Sequence, residues 1–229
     1  ILTEHIITRS GIGLFDISHM GQVDVEGPRS TRLLEKIIPS DLFELKNHHS
    51  TYSCFTLNNG GILDDLIITR LQDTKWRLVL NASRTSVGLE HLLNYTSPES
   101  QVIHRKDLSL IAIQGPQARQ ELSKIIPEAK NLRFLKTKKL LWNNAPITLF
   151  CSGYSGEDGF EISIPNDLAE LLANQLTNLH GSTWVGLGAR NSLRLEAGLN
   201  LYGNDLNEGT TPVEANISFI IGKRRRKEG

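Results

Sequence analysis

The chain has 229 residues, enough for one large domain or two smaller ones, and its 39% hydrophobic, 6% aromatic and 22% charged residues are those of a folded protein, which excludes a disordered one. Its 25 basic and 25 acidic residues cancel, so no overall field recruits nucleic acid or an anionic membrane, and a small-molecule or protein partner is expected. No run of ~18 apolar residues reads as a membrane span, and Cys54 and Cys151 lack the paired spacing of a zinc or redox site, so reduced thiols and no metal are expected.

Glu4 and His5 precede a Gly11-Ile12-Gly13 break. From 15 to 25 apolar and polar positions alternate, which predicts a half-buried strand with Phe15, Ile17 and His19 on one face and Asp16, Ser18 and Met20 on the other. A lone His19 reads as a structural group, and Met20 reads as packing that also suits a flat aromatic ligand. Gly27-Pro28 breaks the strand, and Ser30 is placed to cap a helix over 31–38 with the stripe Leu33, Leu34, Ile37 and Ile38. Pro39 ends it. His48 and His49 have no carboxylate at ligand spacing and point apart on an extended chain, so a metal reading is set aside.

Residues 52–57 read as a strand leading into Asn58-Asn59-Gly60-Gly61 and then Ile62-Leu63-Asp64-Asp65-Leu66-Ile67-Ile68-Thr69-Arg70. Two glycines allow a sharp turn and a close approach of a ligand to the main chain. Adjacent side chains on a strand face opposite ways, so one of Asp64 and Asp65 is directed inward. A carboxylate held beside Leu63, Leu66, Ile67 and Ile68 is partly desolvated, which raises its pKa and suits it to proton transfer or to a protonated ligand nitrogen. The same residues are also ordinary hairpin-turn chemistry. Residues 76–82 predict a strand antiparallel to 66–70, with Asn81 at its end, either capping a helix near Ser83 or offering donor and acceptor to a heterocycle.

A strand over 108–114 stops at Gly115-Pro116 and gives way to a helix ending near Pro127, while Lys136, Lys138 and Lys139 read as a solvated face. Residues 147–165 read as two strands around a loop with three glycines, Gly153, Gly156 and Gly159. In the outgoing strand Phe160, Ile162 and Ile164 share one face, which puts Glu161 on the other. The loop carries Glu157 and Asp158 and opens no helix with a lysine, so a nucleotide is discounted. Asp167 is placed to cap a helix striped by Leu168, Leu171, Leu172 and Leu176. Residues 186–199 read as a short helix closed by Gly198, in which Arg190 can fork onto a carboxylate, of a ligand or of Glu161. The basic run 223–227 reads as a solvated loop.

Taken in order, Gly13-Leu14-Phe15-Asp16-Ile17-Ser18-His19-Met20-Gly21, Gly60-Gly61-Ile62-Leu63-Asp64-Asp65-Leu66, Gln114-Gly115-Pro116, Gly153-Tyr154-Ser155-Gly156-Glu157-Asp158-Gly159-Phe160-Glu161 and the 186–198 segment resemble the aminomethyltransferase of the glycine cleavage system, the T-protein family. The resemblance covers essentially the whole chain, which looks shorter than the family at both ends. It implies an α+β cloverleaf around a tetrahydrofolate channel, with the first two domains present and a C-terminal β-domain missing. Expected boundaries are 1–105 for the first domain, 106–184 for the second, and 185–229 as a segment returning to the first.

The implied reaction passes an aminomethyl group from the lipoyl arm of the H-protein to tetrahydrofolate, with release of ammonia. Carried over by motif, Asp64 is the catalytic carboxylate and Asp65 structural; Met20 and Tyr154 line the pterin slot. Glu161 binds the pterin's polar edge, Arg190 holds the hydrogen-bond network, and Asn81 is a further folate candidate. One departure stands out, Asn191 where the family has Asp, which removes a negative charge beside the folate site. Two relatives of the same fold supply alternatives, a folate-binding accessory protein of iron–sulfur cluster assembly and a folate-dependent demethylase. The accessory proteins place a cysteine in the Gly-Tyr loop, and 152–156 has none. The resemblance implies a bacterial cytoplasm or a mitochondrial matrix.

Overall fold

The structure, a computed structural model, describes residues 1–228. In chain order the elements are α1 (Leu2–Ser10), β1 (Ile12–Asp16), β2 (Gly21–Glu26), α2 (Ser30–Leu34), β3 (His49–Thr56), β4 (Ile62–Gln72), β5 (Lys75–Leu80), α3 (Thr85–Asn94) and β6 (Gln101–His104). They continue with β7 (Leu108–Gln114), α4 (Ala118–Leu122), β8 (Thr137–Trp142), β9 (Ala145–Phe150), β10 (Gly159–Pro165), α5 (Asn166–Thr177), β11 (Ser182–Trp184) and α6 (Leu187–Glu196). Helices and largely antiparallel sheets in this arrangement make an α+β fold.

The chain forms two compact units, one from Ile1–His19 and Asp107–Leu199, the other from Met20–Lys106 and Asn200–Gly229. These boundaries differ from the expected 1–105, 106–184 and 185–229. Residues 1–19 and 185–199 lie with 107–184 because β1 pairs with β7 and β11, and α1 packs on α6.

The first unit is built on a six-stranded sheet in the order β11-β1-β7-β10-β9-β8, antiparallel except where β1 meets β11. Phe160, Ile162 and Ile164 share one face of β10 and sink into a core with Ile12, Leu14, Ile111, Ile113 and Leu149. The α5 stripe adds Leu172 and Leu176, both fully buried, each stabilising by about 1.5–3 kcal/mol. Period-2 alternation leaves Phe15, Ala112 and Glu161 on the opposite face, as the sequence pattern of β10 required.

The second unit holds a five-stranded antiparallel sheet, β3-β4-β5-β2-β6. One face packs Phe55, Leu66, Ile68 and Leu78 against Leu33, Leu34 and Leu92. On the other, Cys54 and Ile62 pack against Leu206, Ile217 and Ile220 of the 200–229 segment. The β3–β4 turn uses Gly60 at φ +84°, where a side chain is strained, and Gly61 because a Cβ there would stand 1.8 Å from the Glu208 carbonyl oxygen.

Several local expectations change. The alternation from 15 to 25 spans two strands in two sheets, since the chain leaves β1 at Asp16 and begins β2 at Gly21. The helix expected over 31–38 is the single turn of α2, and Ser30 caps nothing: its hydroxyl donates to the Thr74 carbonyl. Asp167 sits inside the first turn of α5, with Pro165 at the cap position. The lysine-bearing stretch near 136 keeps its solvated face, with Lys138 and Lys139 exposed, but it lies on strand β8, which buries Thr137 and Trp142. Nor is the basic run a solvated loop, because Arg224 reaches Glu35 and Asp41 in charge-assisted bonds and lies over Phe43.

Candidate functional site

Asp64 and Asp65 leave β4 on opposite faces: Asp64 with Phe55 and Leu66, Asp65 with Tyr52 and Cys54. Strand alternation alone turns one of them inward, but both are buried, because Leu206, Ile217 and Ile220 cover the second face. Asn81, just past the end of β5, reaches the pair from the neighbouring strand. Its Nδ2 donates to Asp64 Oδ1 at 2.8 Å and Asp65 Oδ1 at 2.7 Å, with the Asp65 carbonyl oxygen at 3.1 Å. It makes no helix-capping bond. The Tyr52 hydroxyl donates to Asp65 Oδ2 at 2.9 Å.

The two acids are unequally served. Asp64 Oδ2 is buried with no hydrogen-bond partner among the described residues. Burial pushes the Asp64 carboxyl up to about 7, the Asn81 amide opposes this, and the charge of Asp65 adds to it. Burial also raises Asp65, with Tyr52 and Asn81 holding it down. Arg84 packs beside them, its guanidinium donating to the Leu63 carbonyl at 2.9 Å and to Glu208 at 2.8 Å while lying over the Tyr202 ring.

In the first unit Phe15, Ile17, Ala112, Gln114, Tyr154, Ser155, Glu161 and Arg190 line a solvent-open cavity. Glu161 Oε2 accepts the Ser152 hydroxyl at 2.6 Å. Burial raises the Glu161 carboxyl, and Ser152 and the Arg190 charge pull it back. The Arg190 guanidinium stands 4.4 Å above the Tyr154 ring, a cation–π contact that holds both side chains. The glycine loop is fixed from below by Gln114, whose Nε2 donates to the Ser152 carbonyl at 3.0 Å and whose Oε1 takes the Ser155 hydroxyl at 2.8 Å. A Cβ at Gly153 would stand 1.8 Å from Gln114 Oε1, so this loop needs glycine to close over that amide.

The structure therefore gathers Tyr154, Glu161 and Arg190 in one cavity, and Asp64 with Asn81 in one network. Met20 lies half-buried in the second unit, immediately before β2, and is not a lining residue of the Glu161 cavity. Asn191 is exposed and accepts from Arg194 Nε at 2.9 Å, so it holds a helix arginine. Tyr52 and Ser152 as partners of the acids, and Gln114 as the support of the glycine loop, are not among the residues that the sequence singles out. Tyr52 was detectable only through the β3–β4 register that sets Cys54 opposite Asp65; Gln114 stood in a motif with no chemistry attached to it. Among the described residues no cluster of His, Cys, Asp and Glu could hold a metal, and no helix is long and apolar enough to cross a membrane.

A family model described as the GCVT N-terminal domain matches residues 1–225. A protein named probable aminomethyltransferase, mitochondrial, from Schizosaccharomyces pombe is 43% identical over 235 residues, covering 100% of this chain and 60% of that protein. An aminomethyltransferase from Chlorobium luteolum is 36% identical, covering 96% of this chain and 63% of that one. Among solved structures, the glycine cleavage system aminomethyltransferase T of Bartonella henselae superposes with a TM-score of 0.94 at 41% identity, covering 99% of this chain and 62% of that one. The chain thus spans about 60% of the length of these relatives.

Proposed function

Because the chain belongs to the GCVT N-terminal domain family, we propose that it binds tetrahydrofolate and carries the reacting carboxylate of a glycine cleavage aminomethyltransferase. The observation that carries the reading is Asp64 Oδ2, a buried carboxylate oxygen left without a partner among the described residues. A buried carboxylate oxygen without a partner costs about 1–3 kcal/mol, and a bound proton, which the carboxyl can then exchange with a reacting group, offsets that cost. The cavity around Glu161 fits a pterin by its chemistry. Phe15, Ile17 and Ala112 supply an apolar wall, Tyr154 a polarisable ring, and Glu161 an acceptor for amino and ring N–H groups.

In this reading the substrates are an aminomethyl group carried on a lipoyl sulfur and tetrahydrofolate. One folate nitrogen bonds to the methylene carbon as its carbon–sulfur bond breaks, the other bonds to the same carbon as ammonia leaves, and the carbon then bridges the two folate nitrogens. The two protons lost from folate end on the lipoyl sulfur and on the departing ammonia. Asp64, with its carboxyl near neutrality, takes and returns a proton at working pH. Glu161 and Arg190 orient the ring, and Asn81 fixes the Asp64 rotamer. The carrier is the lipoylated H-protein. Mitochondrial and bacterial relatives alike fit a reaction in the matrix or the bacterial cytoplasm.

The test is a chimera in which this chain replaces the matching part of the Bartonella enzyme. Methylenetetrahydrofolate and ammonia are expected in equal amounts from the loaded H-protein, with loss of at least a hundredfold in Asp64→Asn. A folded chimera that binds folate and forms neither product contradicts the reading.

A further inference from the structure

The two carboxylates of β4 are not a reacting acid beside a spectator. Three oxygens crowd one Asn81 amide, which has two hydrogens to give. Each acid also has a main-chain hydrogen bond, Asp64 from Asn81 and Asp65 from its own residue, but Asp65 has a further donor, the Tyr52 hydroxyl on Oδ2, whereas the corresponding oxygen of Asp64 has none. Two adjacent buried carboxylates sharing a donor do not both ionise cheaply, and the one with more donors keeps the charge. We propose that Tyr52 and Asp65 are positioning residues, in which the Tyr52 hydroxyl holds Asp65 as the anion so that the proton of the pair resides on Asp64 Oδ2.

The surroundings agree with that assignment. The other titratable and charged groups facing the pair are Cys54 on β3, Arg84 after β5 and Tyr202, with Glu208 behind them on Arg84 and Tyr202. The Cys54 thiol, pushed up to about 12 by burial and then by the two acids, stays neutral. Arg84 attracts Asp64 but is itself engaged by the Leu63 carbonyl and Glu208. Tyr52 is held strongly toward its protonated form by burial and by Asp65, so its hydroxyl is a donor at any working pH. The Asn200 side chain adds a hydrogen bond to it. The result is a relay of fixed direction, Tyr52 to Asp65, with Asn81 shared between Asp65 and Asp64.

This deepens the aminomethyltransferase reading by naming what keeps its acid protonated, yet its test needs no turnover. Carboxyl carbons of the ligand-free chain, labelled at aspartate, are titrated by NMR in the wild type, Tyr52→Phe and Asp65→Asn. In the wild type Asp65 is expected to ionise first and Asp64 near neutrality. In Asp65→Asn the Asp64 midpoint is expected to fall by about one unit or more, and in Tyr52→Phe the Asp65 midpoint to rise. The wild type alone overturns the proposal if Asp64 loses its proton before Asp65. An unmoved Asp64 midpoint in folded Asp65→Asn overturns it as well. Tetrahydrofolate binding, measured separately, is unaffected by this logic, so failure of the functional reading and failure of the relay are distinguishable.

Discussion

Asn81 Nδ2 stands 2.8 Å from Asp64 Oδ1 and 2.7 Å from Asp65 Oδ1, so one amide spans two carboxylates that β4 sends to opposite faces of its sheet. The contact works because Asn81 follows the last residue of β5, where the ladder ends and a side chain can reach around the strand. It ties the acid pair to the sheet that carries it.

Replacing Asn81 by Ala removes the shared donor without filling its place. The Asp64 carboxyl is expected to move above its value of about 7, since the Asn81 amide holds it down. Stability is expected to fall by roughly 1–3 kcal/mol, the cost of leaving buried acceptors unserved. Urea denaturation and the carboxyl titration measure both, and an unchanged Asp64 midpoint would count against the shared bond.

The Asp64 carboxyl is raised from 3.8 to about 7, so the folded chain holds this proton more tightly than the unfolded chain. The stability it confers is fully present below the unfolded value and is lost as pH rises through the folded one. Asp64→Asn removes the dependence. Its stability relative to wild type is expected to improve from about pH 4 to about pH 7.5, by on the order of 3 kcal/mol. A difference independent of pH would show that burial does not hold the proton.

Ser152→Ala takes the 2.6 Å donor from Glu161 Oε2 while keeping the loop backbone. The Glu161 carboxyl then rises further under burial, so folate binding is expected to weaken about five- to tenfold and its acid limb to move to higher pH. Calorimetry across pH reads both, and an unshifted acid limb would separate Glu161 from binding.

The neighbouring glycines of the β3–β4 turn predict unequal costs. Gly61→Ala drives a Cβ to 1.8 Å from a backbone carbonyl oxygen that cannot swing away, whereas Gly60→Ala meets nothing closer than 3.6 Å and suffers only its φ of +84°. About 1 kcal/mol is expected at Gly60 and more than about 2 kcal/mol at Gly61. Equal losses would mean the segment carrying Glu208 yields readily.

The β3–β4 hairpin and β10 were legible because a Gly-Gly turn and strict alternation specify both place and facing. Glu161 followed directly, since Phe160 and Ile162 had to be inside. The same rule misled between 15 and 25, because alternation persists through a change of sheet and carries no mark of where one ladder stops. What stayed hidden was long-range pairing. Ser152 to Glu161 and Tyr52 to Asp65 depend on register across strands, and the grouping of 1–19 with 107–199 depends on which strands pair. None of these leaves a local periodic signal. The family motifs contain the acids, but not the hydroxyl groups bonded to them.

The most direct test of the account is calorimetric titration of tetrahydrofolate into this chain, side by side with Glu161→Gln and Asp64→Asn. Binding by the wild type is expected, with a loss of at least about tenfold in Glu161→Gln as an acceptor becomes half donor, and affinity within a few-fold of wild type in Asp64→Asn. Equal affinity in all three, or no heat with the folded wild-type chain, would contradict it.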